Sequence, residues 1–140
     1  MPTQQDAELI LRLYDLRRED KMRAARDWFV KNARLATLDE FRNLCPPGSQ
    51  ENAYFRQVTS FWDMAASFVT SGLLDPELFF QSNRELLLVW TRVEGVARAY
   101  REAMKDPTAF RNIEAVARQF ISWMDRQHPE MHAAFASRIK

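Results

Sequence analysis

The sequence predicts an all-α fold: a single-domain helical bundle of five to seven helices over residues 1–140, beginning with a long N-terminal helix. Three observations predict it. The chain holds only three glycines and six prolines, too few for the many turns of an all-β fold. Residues suited to helix capping recur just before apolar segments. Those segments repeat their apolar residues with the period of an α-helix.

The first predicted helix covers residues 4–35, with Thr3 and Asp6 spaced to cap its start. Its apolar stripe changes sides along the helix. The first half carries Leu9, Leu13 and Leu16. After the charged segment RREDK (17–21), a second stripe is rotated by about half a turn and consists of Met22, Ala25, Phe29, Ala33 and Ala36. We therefore expect either a kink or two halves that pack on different partners, with a second copy of the chain as one candidate.

The later helices also carry start and stop signals. Thr37 with Glu40, and Ser82 with Glu85, have the spacing of a capping box. Further boundaries follow from cap residues, prolines and one glycine: Ser49, Gly72, Asp75 before Pro76, Asp106 before Pro107, and His128 before Pro129. The predicted helices cover residues 38–44, 50–71, 76–81, 83–105, 107–127 and 129–138. On the helix of 83–105, we expect Arg92 to face solvent and Glu94 to lie at the apolar edge in an ion pair.

Composition and charge argue against several classes of protein. The formal net charge is +1, from 20 basic and 19 acidic side chains, so a nucleic-acid-binding role is not indicated. The charged side chains of the first helix fit a solvated helix with internal ion pairs. The sequence contains no run of 18 apolar residues, so it predicts no membrane span. The start MPTQQDAELI lacks the features of a secretory signal. Together with a single cysteine, Cys45, these features predict a cytoplasmic protein.

The segment FWDMAASFVTSGLLDPELFF (61–80) is the main candidate for a binding site. One interpretation is an aromatic pocket or interface between helices, formed by Phe61, Trp62, Phe79, Phe80 and Trp90. The other is a packed core, because Phe61, Trp62 and Phe68 lie on the apolar arc of the helix. We expect the helical half to be core. Because Phe79 and Phe80 are adjacent, we expect one of them to face a groove or a partner.

No catalytic or metal-binding constellation is visible in the sequence. Cys45 has no neighbouring base, and we expect it to be a buried structural residue. His128 and His132 are four residues apart, but a pair of histidines falls short of a zinc site. We find no nucleophile motif, glycine-rich phosphate loop or metalloprotease motif. We therefore predict no catalytic residue, no metal and no cofactor.

One element resembles a group of known proteins. An aromatic helix is followed by a glycine, an aliphatic pair with an aspartate, and then a short helix. The residues that carry it are Tyr54, Phe55, Phe61, Trp62, Gly72, Leu73, Leu74 and Asp75. Over residues 50–105 the chain resembles small bacterial helical proteins known only as domains of unknown function. Some of those relatives have a membrane span before the domain, and this chain departs from that pattern. The resemblance implies a helical fold and transfers no catalytic residue.

Two functions from different classes remain open. The first is a non-enzymatic interaction module that forms a homodimer, with Leu9, Leu13 and Leu16 as the candidate dimer face. The rotated stripe of the first helix and the apolar segment GLLDPELFF favour this hypothesis. The alternative is a sensor domain that binds a small ligand in an aromatic pocket near Trp62 and Trp90. An enzyme is the least favoured class.

Overall fold

The computed structural model describes residues 1–139, and within that range the chain forms eight α-helices and no strand. The all-α fold class is therefore confirmed. The eight helices are one more than the largest number predicted, which was seven. The helices are α1 (Gln4–Arg17), α2 (Asp20–Asn32), α3 (Leu38–Leu44), α4 (Gln50–Thr70), α5 (Pro76–Ser82), α6 (Glu85–Met104), α7 (Arg111–Gln127) and α8 (Met131–Arg138).

The expectation of one long N-terminal helix is wrong, because the chain breaks between α1 and α2. Arg18 keeps a helical backbone (φ −92°, ψ −6°), and Glu19 alone is extended (φ −60°, ψ 144°). The Glu19 carboxylate accepts a hydrogen bond from the Met22 amide at 3.1 Å and so caps α2. The break reorients the chain, so that Leu13 of α1 and Phe29 of α2 are both buried in one core. We call residues 18–19 the elbow.

The centre of the core is α4, which packs against α7 and α2, while α6 packs against α7. The largest fully buried side chains come from several helices: Phe29, Phe55, Trp62, Phe79 and Phe120. Ala65 and Ala66 of α4 are also fully buried, as expected for small residues where another helix approaches closely. Aromatic rings and small residues together therefore fill the centre of the bundle.

Most predicted caps are confirmed. At the start of α1, Thr3 N donates to Asp6 Oδ2 at 2.6 Å, and Asp6 N donates to Thr3 Oγ1 at 3.3 Å. The other three confirmed caps follow the same pattern, with the side chains of Thr37, Ser49 and Asp75 accepting from amides in the first turns of α3, α4 and α5. After α4, Gly72 has φ 82°, a left-handed conformation that suits glycine at a helix end.

Two predicted helix starts are wrong, because the carboxylates expected there, those of Glu85 and Asp106, make other contacts. Ser82 ends α5, and α6 begins at Glu85, whose carboxylate pairs with Arg26 and does not close a capping box. Asp106 and Pro107 do not start α7, which begins at Arg111. Its first amides donate to the Asp63 carboxylate of α4, from Asn112 N and Ile113 N at 3.1 Å each.

The expected outward position of Arg92 is also wrong. Its side chain is buried and donates to three carbonyl oxygens, those of Val30 (2.8 Å), Ala33 (3.0 Å) and Ile139 (3.1 Å). Two of these lie at the end of α2, where carbonyls lack helical partners. The segment after α2 covers this side of α6 closely, since a Cβ at Gly95 would lie 3.0 Å from Ala36 Cα. Glu94 is exposed, and it forms no ion pair within the described range.

Candidate functional site

The predicted aromatic site residues lie mainly in the core. Trp62 and Phe79 are fully buried, Phe80 and Trp90 are nearly so, and Phe61 is half-buried. Phe80 stacks on Phe120 with 4.7 Å between ring centroids and borders a shallow groove between α5 and α7. Neither Trp62 nor Trp90 lies in the wall of a larger surface groove of residues 1–139. The helical half of the segment is therefore core, as expected.

A cluster of polar groups surrounds Trp62 where α2, α4 and α6 meet. Glu85 binds Arg26 through two hydrogen bonds, Nε to Oε2 at 2.7 Å and Nη2 to Oε1 at 3.0 Å. The indole Nε1 of Trp62 donates to Oε2 of the same carboxylate at 3.1 Å. Both charged side chains are at most one-quarter exposed, so removing either would leave the other poorly solvated. This cluster joins three helices of the core.

Arg17, the last residue of α1, extends the cluster to the elbow. Arg26 Nη1 donates to the Arg17 carbonyl at 2.9 Å, and Arg17 Nη1 donates to Asn83 Oδ1 at 3.4 Å. The Arg17 guanidinium also lies 5.8 Å from the Trp62 ring centroid. Burial lowers the pKa of Arg17, and the nearby charge of Arg26 lowers it further. These contacts fix the C-terminal end of α1.

The N-terminal end of α1 is held by Asp6. Its Oδ1 accepts a hydrogen bond from the Asp75 amide at 2.9 Å, and its Oδ2 accepts from the Thr3 amide. These two amides, first that of Thr3 and then that of Asp75, lower the pKa of the Asp6 carboxyl. Between the two ends, Leu13 is the one buried apolar residue of α1. The helix is thus held by polar contacts at its two ends and by Leu13 between them, with the half-buried Leu9 and Ile10 also packed against the core.

Three large apolar side chains of α1 are exposed. They are Leu11 (63%), Leu16 (46%) and Tyr14 (43%). Of the predicted dimer face, the structure places Leu16 at the surface, Leu9 at half burial and Leu13 in the core of the same chain. Therefore Leu13 cannot contact a partner while α1 is docked on its own bundle.

A second surface feature is a polar groove of about 610 Å³ beside the loop between α6 and α7. Arg56 and Asp63 of α4 line one side, while Tyr100 of α6 and Asp106 of the loop line another. Burial raises the pKa of Tyr100, and the Asp106 carboxylate raises it further. Phe110, also in the wall, has φ 60°, an uncommon conformation for a bulky residue. We call this the α4–α6 groove.

Cys45 and the two histidines lie apart from these features. Cys45 is buried, as expected, and burial raises the pKa of its thiol to about 11. His128 is exposed, and its Nδ1 accepts a hydrogen bond from the Glu130 amide at 3.1 Å. No group of three or more histidine, cysteine or acidic side chains is arranged to hold a metal ion in residues 1–139.

Sequence reasoning missed most of the polar contacts around α1. Glu85 was interpreted as a capping residue, and Arg17 and Arg26 as members of a solvated face. One signal was available: a buried tryptophan usually needs a partner for its indole N–H, so Trp62 implied a nearby acceptor. Nothing local identifies Asp6 as the partner of the Asp75 amide, because that contact joins residues 69 positions apart.

A family model described as "Domain of unknown function (DUF4760)" matches residues 2–123. The chain belongs to this family. The resemblance over residues 50–105 is therefore confirmed and extends further, from α1 through most of α7. No curated protein matches the chain, and no solved structure does. Within the described part of the chain, no helix has the length and apolar character needed to cross a membrane.

Proposed function

We propose that this chain is a non-enzymatic interaction module that self-associates through α1. The observation that carries the proposal is the combination of weak attachment and apolar exposure in this one helix. In α1, Leu11, Tyr14 and Leu16 are exposed, and the only buried side chains are Leu13 and Asp6. Leu11 and Tyr14 are three residues apart and lie on the same side of α1, and neighbouring exposed apolar side chains often mark a contact with another protein.

Outside α1, the side chains considered as possible site residues mainly pack the interior of the protein. Every buried side-chain nitrogen or oxygen atom in residues 1–139 has a hydrogen-bond partner. The aromatic residues of α4 and α5 fill space between helices, and the charged cluster around Trp62 joins α2, α4 and α6. Such an interior favours a rigid scaffold that presents a surface, with α1 as the part most available to a second copy.

The test is the oligomeric state of matched double variants. Leu11→Glu with Leu16→Glu places two charges on the exposed side of α1. Leu73→Glu with Met104→Glu does the same at two exposed apolar residues outside α1. We expect the wild type and the control to form dimers at high concentration in light scattering, and the α1 variant to stay monomeric with unchanged circular dichroism. A monomeric wild type contradicts self-association, and a dimeric α1 variant contradicts association through the exposed side chains of α1.

Small-ligand binding is a second candidate, favoured by the α4–α6 groove and no longer by an aromatic pocket. The groove places a cation (Arg56), a carboxylate (Asp106) and a phenol (Tyr100) around one open volume. This arrangement suits a zwitterion, whose carboxylate and ammonium need opposite charges close together. We expect a free amino acid to raise the melting temperature of the wild type and to have no effect on Arg56→Gln with Asp106→Asn. The exposed variant Arg98→Gln is the control, and equal shifts in all three proteins count against this candidate.

A further inference from the structure

The elbow differs from a continuous helix at one residue. Arg18 already has helical dihedral angles, and only Glu19, with ψ 144°, departs from them. The segment RREDK (17–21) contains no glycine or proline, and most of its residues are good helix formers. Rotation about the ψ bond of Glu19 would therefore join α1 and α2 into one helix from Gln4 to Asn32 without an intrinsic helix breaker.

A straight helix over residues 4–32 would send its two apolar stripes to opposite sides. At 100° per residue, the stripe of Leu9, Leu13 and Leu16 lies about half a turn away from that of Met22, Ala25 and Phe29. In the described structure, both Leu13 and Phe29 are buried in one core, which only the bent elbow allows. In the straight form the first stripe would point away from its own bundle, toward a neighbouring molecule.

Three of the contacts that hold α1 can form between two chains. Asp6 binds the Asp75 amide, Arg17 binds Asn83, and Leu13 inserts into the core. The site that receives α1 includes residues after the elbow, and α1 supplies the complementary groups. An α1 from a second copy would therefore find the same partners at the same places. Exchange of an identical element is a recognised low-cost route to a dimer, because few contacts are lost.

We propose that α1 is exchanged between two copies of the chain, with each α1 docked on the partner's bundle and the elbow straightened. This inference rests on the proposed function and specifies its mode: the partner is a second copy, and Leu13 of each α1 is buried in the partner's core. Closed monomer and exchanged dimer share their α1 contacts, so concentration and the conformation of Glu19 set the balance between them.

Asp20→Pro locks the elbow in its bent form. Asp20 is the first residue of α2, where proline is favoured, and the extended Glu19 before it has the backbone that a residue preceding proline prefers. In a straight helix the same proline would be internal and would break it. We expect the dimer dissociation constant to rise by about ten-thousandfold, because the proline would break both straightened elbows of the dimer. Gln50→Pro, at the equivalent first position of α4, is the matched control and leaves it unchanged.

Glu19→Ala acts in the opposite direction. It removes the carboxylate that caps α2 through the Met22 amide, and it places the best helix former at the elbow. We expect the dimer dissociation constant to fall by about thirtyfold, since a helix cap is worth roughly one kcal/mol and the dimer contains two elbows. An unchanged or weaker dimer contradicts the exchange.

Cross-linking distinguishes exchange from surface docking. Gln4 lies two residues before Asp6, and Leu73 lies two residues before Asp75. The variant with Gln4→Cys and Leu73→Cys therefore carries its two new thiols close to the Asp6–Asp75 contact. Cys45 stays in place because it is buried. We expect a short bis-maleimide to join two chains in the dimer fraction and one chain to itself in the monomer fraction. Only intrachain links in a native dimer overturn the exchange and leave self-association standing. Monomers at every concentration, in the wild type and in Glu19→Ala, overturn both.

Discussion

Helices α1 and α4 show how differently two amphipathic helices of one domain can be held. α4 has 21 residues and buries seven of them, while α1 has 14 residues and buries two. α4 packs against α2, α6 and α7, and most of its apolar arc is buried. α1 buries one leucine and keeps three large apolar side chains exposed. The difference lies in the breadth of the buried face far more than in helix length.

The two helices also differ in how their polar groups are used. Asp63 of α4 caps α7, and Trp62 of α4 donates to Glu85, so polar contacts strengthen a helix that is already buried. On α1, Asp6 and Arg17 form polar contacts that attach a less deeply buried helix to the rest of the chain. Hydrogen bonds contribute little net stability in comparison with an apolar face. We therefore expect a helix held in this way to leave and return while the core stays folded.

The largest effect is expected from a cavity in the core. Phe120→Ala removes a fully buried ring of α7, and we expect the free energy of unfolding to fall by about 3–5 kcal/mol. Leu11→Ala on α1 is the control, because its side chain is mostly exposed and its loss should change stability by less than about 0.5 kcal/mol. Urea unfolding monitored by circular dichroism measures both. Equal losses in the two variants would remove the contrast between α1 and the core.

A smaller effect is expected at the cluster around Trp62. Glu85→Ala leaves Arg26 without its carboxylate and the Trp62 indole without its acceptor, so we expect a loss of about 2 kcal/mol. Glu85→Gln retains an acceptor but no charge, and should lose less. Urea unfolding gives the magnitudes, while tryptophan fluorescence reports the indole environment. If Glu85→Ala has the same free energy of unfolding as the wild type within experimental error, the cluster does not contribute to holding these helices together.

The smallest effect is expected from acid. The Thr3 and Asp75 amides lower the pKa of Asp6 in the folded chain, so its contribution to stability is full above the unfolded pKa of about 4. That contribution is lost as the pH falls through the lower folded pKa. We expect the amide resonance of Asp75 to shift in this acidic range and the protection of α1 to fall with it. Asp6→Asn should abolish the shift, and persistence of the shift would assign it to another group.

The sequence predicted the helices that depend on local signals and missed the features that depend on distant ones. The predicted limits of α4, 50–71, differ from the observed Gln50–Thr70 by one residue, because Ser49, Gly72 and an uninterrupted apolar arc act locally. The elbow was recognisable as a conflict between two stripes, but its place at Glu19 depends on packing against one core. Arg92 was misplaced because the segment that covers it follows α2, far from α6 in sequence.

Native-state hydrogen exchange tests the central claim, the separability of α1, most directly. If α1 opens while the core remains folded, its amides should exchange at least about tenfold faster than those of α4 after correction for intrinsic rates. Their exchange should also slow as the protein concentration rises into the dimeric range. Equal protection of α1 and α4 at every concentration would show that they open together, and would contradict both the separable helix and its exchange between chains.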